Sequence, residues 1–261
     1  MVIPGEPSSF AGQRVVVTGA AGGIGAAIAA GFVARGASVV INDLDHDRLQ
    51  RTAEEIGAVA FAGDAAGAEG VAALVAAADA ELGGIDCWVA NAGVGGPVGL
   101  QLDEPGWDLT WQVNTMAHVR AAQLLVPRWS QTGGGRFVVT ASAAGLLTLL
   151  GGAAYSVTKH AAVAFAEWLQ LTYAHRGISV HAICPQGVDT ALFRSSEGRE
   201  VMEAEGVLQP VQVADALFAA IESGQFFVLP HPQVADYYVT RATHPDKWLA
   251  GMNKLQQRSE A

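Results

Sequence analysis

The sequence predicts an α/β protein built on a doubly wound, seven-stranded parallel sheet with helices on both faces. Three observations lead there. Short apolar runs alternate with longer Ala-rich amphipathic segments along the 261 residues, the runs are dense in Val and Ile, and a glycine-rich turn joins the first run to the first helical segment. Near-continuous Val/Ile runs suit strands buried on both faces, and alternating strand and helix patterns call for parallel crossovers. In order, the strand candidates are RVVVTG at 14–19, ASVVIND at 37–43, AVAFAGD at 58–64, IDCWVANAG at 85–93, GRFVVTAS at 135–142, ISVHAICP at 178–185 and FFVLP at 226–230. Helix candidates lie between them at about 23–35, 45–56, 68–82, 104–131, 153–176 and 211–223.

No Ser/Pro-rich linker, repeat or low-complexity run divides the chain, so residues 1–261 are expected to form one domain, with a core over about 12–230. Residues 1–12 and the tail 231–261 look like loose ends. The tail is rich in aromatics, Tyr237, Tyr238 and Trp248, and is expected to pack on the core or on a neighbouring subunit. Trp107, Trp111 and Trp129 are expected to be buried in a helix-to-helix contact.

Lys and Arg number 15 against 25 Asp and Glu, a net charge of −10, the wrong sign for nucleic acid or an anionic membrane surface. No apolar run reaches the ~18 residues of a membrane span, and the start MVIPGEPSSF lacks the basic and apolar regions of a signal peptide. A cytoplasmic location is the expectation. The two cysteines, Cys87 and Cys184, sit in apolar strand settings and are read as core, and the seven histidines show no ligand spacing, so no metal is assigned.

The glycine-rich turn Gly19, Ala20, Ala21, Gly22, Gly23, Ile24, Gly25 lies between strand and helix, where backbone can approach a pyrophosphate and a helix N-terminus offers free N–H donors. Asp43 ends the second strand about 20 residues on, placed to accept hydrogen bonds from both hydroxyls of an adenosine ribose and to repel a 2′-phosphate. Ala20, Ala21 and Leu44 supply no cation for such a phosphate, so NAD is favoured over NADP. Asp43, Asp45 or Asn42 could cap the next helix, and Asp64 could hold the adenine edge or cap the helix after it. Asn91 could shape the cofactor groove or simply tie its strand end to a neighbour.

Ser142, Tyr155 and Lys159 bring together a hydroxyl, a phenol and an ammonium. Lys159 follows Tyr155 by four residues, so on a helix both leave one face. A neighbouring cation stabilises phenolate and is expected to lower the Tyr155 pKa toward useful base strength.

Taken together, TGAAGGIG at 18–25, NAG at 91–93, Asn114 in the long helix, Ser142, YSVTK at 155–159 and CPQGVDT at 184–190 resemble the compact single-domain branch of the short-chain dehydrogenase/reductase family, from about Gly12 to Pro230. The resemblance implies a Rossmann-type fold and an NAD-dependent alcohol dehydrogenase or ketone reductase. By the same resemblance Tyr155 is the acid/base, Ser142 holds the reacting oxygen, Lys159 binds the nicotinamide ribose, and Asn114 anchors a water that continues the proton relay. Val188 and Thr190 match positions that contact the nicotinamide amide. The helices at 104–131 and 153–176 would form a subunit contact in a homodimer or homotetramer, and residues 192–209 a mobile lid. The chain departs from the family pattern at Pro185-Gln186-Gly187, where glycine usually follows proline; Gln186 could bond substrate, narrow the pocket or face solvent.

Between Ser142 and Tyr155 the chain reads AAGLLTLLGGAA, an apolar wall suited to a small hydrophobic alcohol or ketone, and equally suited to ordinary core or a subunit contact. Two other readings remain open at this point: an NADP-dependent ketone reductase, and a non-catalytic dinucleotide-binding sensor or scaffold.

Overall fold

The computed structural model describes residues 10–96, 99, 102–196 and 206–259. All seven expected strands form: β1 (Arg14–Thr18), β2 (Ser38–Asp43), β3 (Val59–Ala62), β4 (Cys87–Ala90), β5 (Gly135–Thr140), β6 (Ile178–Ile183) and β7 (Phe227–Val228). They make one parallel sheet in the order β3-β2-β1-β4-β5-β6-β7. The order reverses between β1 and β4, so the loops leaving those two strands diverge and open a crevice at their carboxyl ends.

The helices are α1 (Gly23–Ala34), α2 (His46–Ile56), α3 (Ala68–Leu82), α4 (Glu104–Trp111), α5 (Ala117–Thr132), α6 (Ala144–Leu147), α7 (Ala153–Tyr173), α8 (Ala191–Arg194), α9 (Pro210–Ser223), α10 (Gln233–Thr243) and α11 (Pro245–Ser259). The period-two alternation of β1 splits its side chains: Val15 and Val17 pack with Ile28, Phe32, Leu49, Leu217 and Phe218 of α1, α2 and α9, whereas Val16 joins Leu74, Leu125 and Leu169 of α3, α5 and α7 on the opposite face. Cys87 and Cys184 are free thiols inside these cores, where burial pushes both to about 12.

Three expectations need correction. The long helix over 104–131 is instead α4, a π-helical turn at Gln112–Met116 and α5; one extra residue in that turn re-aims the helix around Asn114. The ends are not loose where they are described. Phe10 is buried with Phe32 and Phe218 at ring separations of 5.0–5.7 Å, and the tail forms α10 and α11, anchored by buried Val234 and by Trp248 against Tyr237. Of the three tryptophans only Trp129 is fully buried, against Phe137 of β5 with its indole N–H on the Ile85 carbonyl; Trp107 is half-buried and Trp111 is 39% exposed. The expected lid over 192–209 falls partly outside the described residues, at 197–205.

Candidate active site

A single cleft of about 1640 Å³ runs along the carboxyl edge of the sheet. Asp43, Asp64 and Arg48 line one end, Gly19, Gly23, Ile24, Asn91, Val188 and Thr190 the middle, then Ser142, Tyr155 and Lys159, and finally Leu147, Leu149, Tyr237, Trp248 and Met252. Two of the expected cofactor and catalytic residues, Gly25 and Asn114, do not line it.

The glycine turn is shaped by close approach. Gly19 has φ +63, and a Cβ there would stand 2.7 Å from Ala92 Cα. Gly25 is buried beneath the turn, where a Cβ would lie 2.5 Å from Asn91 Nδ2. That glycine therefore seats α1 on the strands and does not itself contact the cleft. Asn91 Nδ2 donates to the carbonyls of Thr18 and Gly19 at 2.9 and 3.0 Å, fastening the end of β4 to the end of β1 at the reversal. Helix α1 has no side-chain cap at Gly22 and no acid in its first turn, so free N–H donors and the positive end of the helix dipole meet the cleft. This donor set fits a dinucleotide pyrophosphate.

Asp43 Oδ2 accepts from Ala21 N at 3.0 Å and Oδ1 from Leu44 N at 2.8 Å, which holds the carboxylate against the turn. Capping of α2 falls to Asp45, which accepts from Arg48 N. Asp64 accepts from Ala66 N within its own loop, and the N-cap of α3 is Gly67. Arg48 was missed in the sequence. A side chain at Gly22 would collide with its guanidinium, so a cation stands beside the turn; its position one helical turn into α2 is the signal that pointed toward the cleft.

Tyr155 and Lys159 both arise from α7 and line the cleft, and Ser142 meets them from the loop after β5. Ser142 Oγ accepts from Ala144 N at 3.1 Å and donates to the Pro185 carbonyl at 3.5 Å. Lys159 is 3% exposed and donates to the Thr140 carbonyl at 2.8 Å; burial lowers its pKa to about 8. The Tyr155 pKa moves opposite to expectation. Burial raises it above the ordinary 10.0, a hydrogen bond with Ser142 opposes the rise, and the Lys159 ammonium stands 5.7 Å from the ring centroid, committed to Thr140.

The Asn114 side chain is fully buried: Oδ1 accepts from Val94 N, and Nδ2 donates to the Val94 carbonyl and to Thr158 Oγ1. The side chain stands close to Lys159, since a Cβ at Gly93 would lie 3.3 Å from both Asn114 Oδ1 and Lys159 Nζ. Thr190 caps α8 through its hydroxyl and turns its methyl toward Gly23. Val188 is buried and bridges to Leu208.

The far end of the cleft is mostly apolar. Trp248, Met252, Leu255 and Gln256 recur at helical spacing on one side of α11 and roof it, a contribution from the tail that no motif marked. Thr148, at φ 68, lies in the facing wall, an uncommon conformation for a β-branched residue and a local strain.

Comparisons with known proteins identify the family. The short chain dehydrogenase family matches residues 13–200. The 1-deoxy-11-beta-hydroxypentalenate dehydrogenase of Streptomyces exfoliatus is 35% identical over 229 residues, covering 83% of this chain and 82% of that protein. The cis-4-hydroxycyclohexanecarboxylate dehydrogenase of Sinomonas cyclohexanicum is 32% identical over 233 residues, covering 84% and 94%. Among solved structures, a short chain dehydrogenase/reductase from Burkholderia phymatum in complex with NAD superposes with a TM-score of 0.84 at 26% identity, covering 93% and 96%. With a family match across most of its length and a cleft that gathers a glycine turn with Ser142, Tyr155 and Lys159, this chain belongs to the short chain dehydrogenase family.

Proposed function

We propose that this protein is an NAD-dependent oxidoreductase that interconverts a secondary alcohol and a ketone on a small, mostly apolar substrate, with Tyr155 as acid/base. The observation that carries the reading is one cleft joining Ser142, Tyr155 and Lys159 to the glycine turn and Asp43. The names of the two relatives, both dehydrogenases of hydroxylated carboxylates, support an alcohol substrate. Leu147, Leu149 and the α11 roof support an apolar one.

NAD, when bound, supplies the acceptor for hydride from the carbinol carbon. The protein's own work is at the oxygen. Ser142 and Tyr155 line the same cleft, so an alcohol or ketone oxygen placed between the two hydroxyls is held in register with the proton donor. Burial keeps the phenol protonated near neutrality, the form that protonates a ketone oxygen; taking the proton of an alcohol requires the phenolate, so oxidation accelerates as pH rises. Lys159, with a value of about 8, carries much of its charge at neutrality and stabilises phenolate when it does.

Asp43 supports NAD, and Arg48 is the specific observation that favours a second reading with NADP. Titration with NADH and NADPH, followed by nicotinamide fluorescence, decides between them. NADH is expected to bind tighter, with Asp43→Ala narrowing the difference by about tenfold or more; tighter NADPH binding overturns the cofactor assignment, and absence of binding favours a non-catalytic scaffold. A homo-oligomer belongs to the same reading, supported by Val157, Trp168 and Leu171, which are exposed at helical spacing on α7; we place it in the cytoplasm.

A further inference from the structure

The peptide between Pro185 and Gln186 is clamped on both sides. Its carbonyl accepts from Ala143 N at 2.8 Å and from Ser142 Oγ at 3.5 Å, and its N–H donates to His231 Nδ1 at 3.1 Å. The same peptide thus holds the catalytic-loop serine and fixes the backbone of Gln186, a residue standing where the family pattern has glycine. His231 is 3% exposed, and burial lowers its pKa, which keeps Nδ1 free to accept.

The side chain of Gln186 is also oriented. Gln233 Nε2, on α10, donates to Gln186 Oε1 at 2.8 Å. A carboxamide is planar, with its oxygen and its NH₂ on opposite arms. With the oxygen held by α10, the NH₂ is fixed on the other arm. It has no hydrogen-bond partner among the described residues, and Gln186 lines the cleft. At the next position a Cβ on Gly187 would press on the Phe193 ring at 3.1 Å, so that ring would have to give way. The chain therefore places a fixed amide donor beside Ser142 in a mostly apolar wall. Among the described lining residues the only cations are Arg48, at the opposite end, and Lys159, engaged with Thr140.

We infer that Gln186 selects substrates carrying a second oxygen: its amide N–H donates to an acceptor oxygen, such as a carboxylate, set across the substrate from the reacting carbinol. This rests on the alcohol-oxidising reading above and names the substrate class for it. An amide desolvated without a partner costs free energy, so a compound lacking the second oxygen is disfavoured, and one bearing it gains a charge-assisted bond when that oxygen is a carboxylate. Gln233 is a positioning residue, acting through Gln186.

The test compares cis-4-hydroxycyclohexanecarboxylate with cyclohexanol, measuring kcat/KM with NAD and equilibrium binding to the protein–cofactor complex. The unaltered protein is expected to prefer the hydroxy acid by about ten- to a hundredfold, mainly in KM. Gln186→Leu should collapse that ratio by at least about tenfold and Gln186→Glu further, through repulsion, with Gln233→Leu intermediate. Melting curves confirm that the variants fold. A ratio unchanged in both Gln186 variants, or no preference in the unaltered protein, overturns the inference and leaves alcohol oxidation standing. If neither compound is turned over while Gln186→Leu still weakens hydroxy-acid binding about tenfold, the inference stands and the alcohol-oxidising reading falls; with binding also unaffected, both fall.

Discussion

At the Asp43 end of the cleft the surface is made by backbone, and at the Trp248 end it is made by side chains. The first end consists of a turn with Gly19 at φ +63, an uncapped helix terminus and a carboxylate fastened to the N–H groups of Ala21 and Leu44. The second is assembled from the loop after β5, the Pro185–Gln186 segment and the tail helices. A pyrophosphate and a ribose present the same donors and acceptors in every dinucleotide, so backbone groups at fixed positions suffice for them. Selecting among alcohols requires shapes that differ, and side chains on variable elements provide them.

The difference predicts opposite responses to substitution. The largest effect is expected beneath the turn: Gly25→Ala, pressing on Asn91 and the backbone of Gly19, should cost about 2–3 kcal/mol of stability and weaken NADH binding, by melting and fluorescence titration. A neutral outcome would mean that the backbone end is more pliable than its contacts imply. At the side-chain end, Met252→Trp should leave the melting temperature nearly unchanged and raise KM for bulky alcohols about tenfold. If it instead unfolds the protein, the α11 roof is core.

His118, on α5, is fully buried, with Nε2 unpartnered among the described residues and Lys159 as its charged neighbour. Burial lowers its pKa from 6.5 to about 3. The unfolded chain therefore takes up a proton near pH 6.5 that the folded chain refuses, so stability is complete above that value and is lost as pH falls toward 3. By pH 5 the loss is about 2 kcal/mol. Denaturant titrations at pH 8 and 5 should show a drop larger by that amount in the unaltered protein than in His118→Leu; equal drops would place the acid sensitivity elsewhere.

The same contrast explains what the sequence disclosed. Gly19, Asp43, Asn91 and Ser142 sit at or just past strand ends, where apolar runs stop, so pattern and position coincide. Asp45 as the cap of α2 was legible for the same local reason. Gln186 was visible as a departure, but its orientation depends on His231 and Gln233, 45 and 47 residues away, which only tertiary packing brings near. The π-helical turn at Gln112–Met116 has no residue signature in a pattern read at 3.6 residues per turn, and it carries the Asn114 amide that bonds Val94 and Thr158. Nor could charge spacing alone give the direction of the Tyr155 shift. Burial outweighs a cation four residues away once that cation is bonded to the Thr140 carbonyl.

The central claim is that Tyr155 moves the proton while the glycine turn and Asp43 hold the cofactor, and Tyr155→Phe tests it most directly. The variant removes one oxygen from a cleft whose backbone end it does not touch. NADH affinity should stay within about twofold and turnover of a secondary alcohol should fall by about a thousandfold. Undiminished turnover with normal cofactor binding would contradict the account.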